Sequence, residues 1–241
     1  MRSRRKDPRE SAARSAPPAY AVDLNSSGID PSPIRIASSP RQLSDLRPLY
    51  EINERCLELL VRVAQTELPT FPLVCYLREL LLSLTPEMRA RVTHRPLLLV
   101  DMQFASGELW RTVKDNPSRP MPGPAWQGNF PRPSAVQLAE STLSFAWHTV
   151  HAAPQEVCLL GMTTDVADII GELSITEIAS VAKGLFRHVR PRWEDRPAVW
   201  RRMILSSRSK DPWRAREFSL YSVQLLTADL ISPVARSRNA S

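Results

Sequence analysis

Glycine is scarce in this chain, with 7 residues against 22 prolines in a total of 241. The glycines form no run able to cradle a phosphate, which excludes a nucleotide-binding loop of that kind. Cysteine is rarer still. Cys56, Cys75 and Cys158 form no C-x-x-C pair, and with four scattered histidines they lack the paired-ligand spacing of a structural zinc site. An odd number of thiols suits a reducing interior better than a secreted disulfide scaffold. Long apolar runs are missing too, and none approaches the roughly 18 residues of a membrane span. The N-terminal "MRSRRKDPRES" is basic, but no apolar core of a secretory signal follows it. These absences lead us to expect a cytoplasmic protein with no membrane contact and no cofactor.

What is abundant is arginine. The 32 basic residues, mostly arginine, give a formal net charge of +7 and an isoelectric point near 9.8. Such a balance favours an anionic partner, nucleic acid being the commonest, although a basic surface without any ligand is the plainer reading. With 43% hydrophobic and 24% charged residues, a packed core is expected. Residues 1–44 carry eight basic and four acidic side chains and no sustained apolar period, which predicts a disordered basic tail. The stretch "KDNPSRPMPGPAWQGNFPRPS", 114–134, holds six prolines and reads as a stiff linker. Residues 234–241 read as a second short tail. Two blocks remain, 45–113 and 135–233.

The blocks resemble each other. "LYEINERCLELLVRVA" places Leu49, Ile52, Cys56, Leu59, Leu60 and Val63 along one helical face, and "AVQLAESTLSFAWHTV" repeats the design with Val136, Ala139, Leu143, Ala146, Trp147 and Val150. "VCYL" answers "VCLL", so that Cys75 and Cys158 are expected as small buried fillers. "LLSLTPEM" answers "IGELSITEI", with Thr85 and Ser174 as helix N-caps and Pro86 in the first helical position, where its missing N–H costs nothing. "RPLLLVDMQF" then answers "LFRHVRPRW", and "ELWRTV" answers "AVWRRM", aligning Trp110 with Trp200. A series of matches in one order suggests a duplication. The second copy has an additional "GMTTDV" and continues into one more helix, roughly 213–231.

"LLGMTTDVADIIGELSITEI", 159–178, reads as two short helices hinged near Glu172. Val166, Ile169, Ile170 and Leu173 make one apolar stripe, and Ser174 with Glu177 has capping-box spacing. A helix–turn–helix of this outline can read DNA, but a reading helix needs polar or basic side chains at its exposed start. Here the start is Ile175-Thr176-Glu177, whose charge repels phosphate. The pair is read as core.

"YEIN" at 50–53 opening an apolar helix, then "LLGMTTDVADIIGELSITEIASVA", then "LFRHVRPRW", resembles the FlhD family of flagellar transcriptional regulators, as does the closing "QLLTADL". The second block covers nearly the family's whole length and the first its N-terminal two thirds. The resemblance implies a mainly α protein in which two FlhD-like units are fused in tandem as an intrachain pseudo-dimer. It implies a pairing core of Ile52, Leu59, Leu60 and Val63 with Leu143, Trp147, Val166, Ile169, Ile170, Leu173, Ile178 and Ala182. It further implies an FlhC-like regulatory subunit and promoter DNA as partners, with RNA polymerase as a further contact. The family's frequent interchain cysteine has no counterpart, since 97–100 is Leu-Leu-Leu-Val and 185–188 is Leu-Phe-Arg-His.

Residues 187–216 hold ten basic and three acidic residues. Arg187, Arg190, Arg192, Arg201, Arg202, Arg208, Lys210 and Arg214 are the candidate DNA contacts, because guanidinium groups fork to phosphate or guanine. Trp193, Trp200 and Trp213 interleave with them. Trp200, Trp213, Phe218, Tyr221 and Leu225 are the candidate partner-binding residues, with packing in a small core as the alternative for the tryptophans. His148 and His151, at i and i+3, could bind metal, but no second carboxylate or thiol stands near, so a surface pair is the better reading. No catalytic residue is singled out. The rival to a DNA-contacting regulator is an adaptor or anti-activator that occupies an FlhC-like subunit without touching DNA itself.

Overall fold

A computed structural model describes residues 46–67, 71–116 and 129–231. The expected tails at 1–44 and 234–241 and most of the expected linker lie outside the described residues. Among the described residues, several of the prolines that stand out in the composition open helices. Pro48 starts α1 (Arg47–Gln65), Pro72 starts α2 (Pro72–Leu82) and Pro86 starts α3 (Pro86–Thr93). Pro133 starts α5 (Arg132–Ala152) and Pro197 starts α8 (Pro197–Ser207), where a residue without an N–H forfeits no bond. The linker is therefore shorter than expected at both ends, since α4 (Gly107–Asp115) and α5 reach into 114–134.

Local chemistry fixes the other helix starts. The Thr85 hydroxyl accepts from the Met88 N–H at 3.3 Å. After a 3-10 turn at Pro154–Leu160, α6 (Thr164–Glu172) ends beside Ser174, which opens α7 (Ile175–Leu185). There the Glu177 N–H donates to the Ser174 hydroxyl at 3.3 Å, and the Ser174 N–H donates to the Glu177 carboxylate at 2.8 Å, closing the capping box. The last helix is α9 (Pro212–Ile231).

A single apolar core runs through both blocks. Helix α5 packs on α6, α7 and α1; α2 and α3 pack on α8, and α4 on α6. Ile52, Leu59, Leu60, Leu143, Val166, Ile169, Ile170, Leu173, Ile178 and Ala182 are buried, while Val63 and Trp147 are half-buried against the core. The α6–α7 pair thus contributes packing, and only Ile175 at its hinge stands out, 70% exposed. Cys75 and Cys158 depart from expectation. Both are exposed, because Val74 and Leu77 take the inward positions on α2 and Val157 and Leu160 take them on the 3-10 turn. Cys56 is the buried thiol, and burial pushes its pKa up to about 12.

The order helix, helix, helix, strand, helix occurs twice, the single α2 of the first pass standing where the second has the 3-10 turn and α6. The two strands, β1 (Val100–Asp101) and β2 (Arg190–Pro191), pair antiparallel, Val100 opposite Pro191 and Asp101 opposite Arg190. Each is followed by the same turn. Gln103 and Trp193 both have left-handed backbone, at φ 57° and 56°. The Ser106 N–H donates to the Gln103 carbonyl at 2.8 Å, and the Arg196 N–H to the Trp193 carbonyl at 2.9 Å. One indole in each following helix donates back to the turn, Trp110 to the Gln103 carbonyl at 3.2 Å and Trp200 to the Arg192 carbonyl at 2.6 Å.

Candidate nucleic-acid interface

Residues 187–216 divide into an inner and an outer set of cations. The inner set is Arg190 and Arg192, and here the expectation of DNA contact is corrected. Strand pairing carries Arg190 to Asp101, to which its Nε and Nη2 donate at 3.0 and 2.8 Å, while Nη1 reaches Glu194 at 3.3 Å. Burial works against the Arg190 charge, but Asp101 and then Glu194 outweigh it, and its pKa is raised. Glu194 moves up as well: burial raises it, against the pull of the Arg190 charge and a 2.6 Å bond from Asn129.

Arg192 is 2% exposed. Its guanidinium donates to the carbonyls of Leu98 at 2.7 Å, Val100 at 3.2 Å and Leu160. A fork turned onto backbone carbonyls inside the core does not face phosphate in solvent. Gly161 makes this seat possible. Its φ of +65° suits a residue without Cβ, and a Cβ there would collide with Arg192 Nη1.

The outer set is Arg187, Arg201, Arg202, Arg208, Lys210 and Arg214, all exposed. Arg187 stands apart, on the 3-10 turn Phe186–His188, over the Phe186 ring at 5.6 Å. The others follow α8, the α8–α9 turn and the start of α9. Arg201, Arg202 and Arg214 line a groove of about 520 Å³ with Tyr76, Ser206, Glu217 and Phe218. Arg202 is held by Glu217 at 2.7 Å and lies 4.5 Å over the Tyr221 ring, so one groove cation is partly neutralised. Arg208 donates to the Ser83 hydroxyl at 3.3 Å, tying the turn to the end of α2. Arg91 donates to the Ser207 carbonyl at 2.6 Å and anchors the same turn from α3.

The candidate partner-binding residues also separate. Trp200 and Phe218 are buried and cannot meet a partner in this fold; both pack in the core, which corrects that expectation. Trp200 is drawn in by its bond to the Arg192 carbonyl. Tyr221 and Leu225 are half-buried against the core, and Trp213 is exposed. Residues that pattern reading missed hold the framework under the groove. Arg95 is buried over the Phe218 ring at 4.6 Å, and burial lowers its pKa to about 10. Trp193 donates to the Asp229 carboxylate at 2.9 Å, which Arg196 also meets at 3.1 Å, fastening the end of α9.

A second groove, of about 540 Å³, lies between α1 and α5 and is lined by Glu51, Arg55, Ser141, Phe145, His148 and Glu156 among others. His151 is not part of it; its Nδ1 pairs with the Trp147 carbonyl at 2.8 Å. Among the described residues no group of three or more His, Cys, Asp or Glu side chains converges on a metal-sized site, and no helix is long and apolar enough to cross a membrane. Comparison with family models, curated proteins and solved structures gives no match to this chain.

Proposed function

We propose that the chain is a transcriptional regulator similar to FlhD, two such units fused as an intrachain pseudo-dimer, acting in the cytoplasm with an FlhC-like subunit on promoter DNA of flagellar or related operons. The observation that carries the DNA-binding part is the run of exposed cations around the α8–α9 turn: Arg201, Arg202, Arg208, Lys210 and Arg214 stand on one continuous segment, with Trp200 before them withdrawn into the core and Trp213 exposed among them. Guanidinium and ammonium groups so placed release counterions from a duplex on binding. The repeated element order, the antiparallel β1–β2 pair and the packing of α1 on α5 support the pseudo-dimer part. RNA polymerase would be a further contact of the assembly.

The test is salt-dependent binding of the full chain, alone and with its partner, to a mixed-sequence duplex and to the candidate promoter. Replacing Arg201, Arg202 and Arg208 together with Ala is expected to weaken binding and to flatten the salt dependence by about 0.9 in log–log slope for each phosphate no longer neutralised. Unchanged affinity and slope would take DNA contact away from this face. A second reading has its own observation. Glu217 stands inside the groove and neutralises Arg202, as suits a protein partner better than phosphate. On that reading the chain is an adaptor or anti-activator that occupies an FlhC-like subunit, and it would lower that subunit's promoter binding rather than support it.

A further inference from the structure

We infer that the groove between α2, α8 and α9 takes an unpaired stretch of nucleic acid, with bases laid against Tyr76 and Trp213 and phosphates against Arg201 and Arg214. This rests on the reading of the same face as a nucleic-acid interface and names the form of strand it holds. Helix α2 supplies Tyr76 to the groove, α8 supplies Arg201 and Arg202, and α9 supplies Arg214 and Glu217. Two rings single this place out. Among the described residues, Tyr76 and Trp213 are the only phenylalanine, tyrosine or tryptophan side chains that are exposed, at 60% and 74%. Tyr76 lines the groove itself, and Trp213 stands one helical turn before Glu217, as its neighbour on α9. Single apolar side chains scattered over a surface need no explanation. Two aromatic rings that border the same cations do.

The cations supply the attraction. Glu217 holds Arg202 at 2.7 Å, which leaves Arg201 and Arg214 without a carboxylate partner among the described residues. Arg95 adds charge from beneath: it is buried over the Phe218 ring at 4.6 Å and donates to the Ser206 hydroxyl, on the groove wall, at 3.1 Å. A low-dielectric wall behind such a groove concentrates its positive field. The rings decide which form of strand answers that field. In a duplex each base is stacked on its neighbours and offers no free face to a side chain. A single strand splays its bases, so that each can lie on an aromatic ring while the backbone between them meets guanidinium groups. Glu217 points the same way. A carboxylate repels duplex phosphate, but it can accept from the amine donors that an unpaired base carries on its exposed edge.

The experiment is fluorescence anisotropy with the full chain and a labelled mixed-sequence strand of about 15 nucleotides, offered single-stranded and as a duplex over a salt series. The single strand is expected to bind the more tightly. Y76A and W213A are each expected to weaken it about tenfold, the effect of one lost base–ring stack, and to leave duplex binding within about twofold. Both rings face solvent, so the circular dichroism spectrum and melting temperature should not change. R201A/R214A is expected to flatten the single-strand salt dependence by about 0.7 in log–log slope for each phosphate released. Duplex bound as tightly as the single strand, or single-strand affinity unchanged in both Y76A and W213A, would overturn this inference and leave the duplex reading standing. Failure of both forms to bind would overturn the two together. Polyphosphate, an anion without bases, should compete poorly; competition equal to that of the unlabelled strand would show that charge acts without the rings and would overturn the inference as well. Should an alanine variant lose its fold, Y76L and W213L keep the bulk without the flat ring and carry the same comparison.

Discussion

Asn53 shows how one polar side chain inside a helix face can fix the path of a distant segment. It is fully buried, and every hydrogen-bonding position of its amide except one oxygen lone pair is taken. Nδ2 donates to the carbonyls of Thr93 at 3.0 Å and Leu97 at 2.9 Å, and Oδ1 accepts from the Leu99 N–H at 2.8 Å. These bonds lead the chain from α3 into β1, and so set the register in which Asp101 meets Arg190. Replacing Asn53 with Leu keeps the volume but takes away the partners of the Leu97 carbonyl and the Leu99 N–H, while the Thr93 carbonyl keeps its bond from the Arg95 N–H, so we expect a loss of about 2 kcal/mol or more in denaturant unfolding. An unfolding midpoint unchanged from wild type would show that the segment finds other partners. Gly161 invites a sharper test of the same kind. Gly161→Ala both strains a left-handed backbone and drives a methyl into the Arg192 guanidinium. It should destabilise by more than the roughly 1 kcal/mol that a left-handed alanine costs alone. Pairing it with Arg192→Ala should cost less than the sum of the two single changes, as expected of residues in contact; strict additivity would contradict the packing described.

Element starts are the most legible feature of the sequence, because capping is local. Thr85 and Ser174 with Glu177 cap as their spacing implies, and the stripe Val166, Ile169, Ile170, Leu173 is buried as its period implies. What the sequence conceals is non-local. Arg190 and Arg192 look like their neighbours Arg187 and Arg201, and only the pairing of β2 with a strand about 90 residues earlier brings Asp101 and the Leu98, Val100 and Leu160 carbonyls to them. Cys75 and Cys158 escape pattern reading for a smaller reason: a one-residue shift in helical phase turns a side chain by 100°.

The same elements set the acid response. The Ser174 N–H, then its hydroxyl, hold the Glu177 carboxyl below its ordinary value. A lowered folded value contributes stability that is complete above the unfolded value, about 4.3, and is lost as pH falls through the folded one. Glu194 has the opposite sign. Burial raises it against the pull of Arg190, so its contribution is complete below about 4.3 and is lost as pH rises through the raised folded value. The slope of stability against pH should therefore differ from wild type mainly below about 4.3 for Glu177→Gln, where only the wild type loses its contribution, and mainly above it for Glu194→Gln, where only the wild type comes to bury a charge. Slopes that change in the same window would refute the assignment.

At the scale of the whole molecule, the core crosses the boundary that composition drew. The two blocks share β1–β2, α1 meets α5, and α8 rests on α2 and α3, so neither block keeps its apolar surface covered without the other. Polar groups reach across as well, such as Arg91 to the Ser207 carbonyl at 2.6 Å and Lys114 to Glu172 at 2.5 Å. If the interior is shared in this way, the covalent connection between the blocks supplies proximity rather than structure. A protease site inserted between residues 117 and 128 should then leave a nicked protein that still elutes as one particle with both pieces present. Tethering raises the effective concentration of the second piece to about the millimolar range. Refolding of the nicked protein from denaturant should accordingly become dependent on protein concentration, which refolding of the intact chain is not. Pieces that separate on gel filtration in native buffer would mean that each block carries a sufficient core of its own, and the burial of Leu143, Trp200 and Val100 at the shared centre would need another explanation.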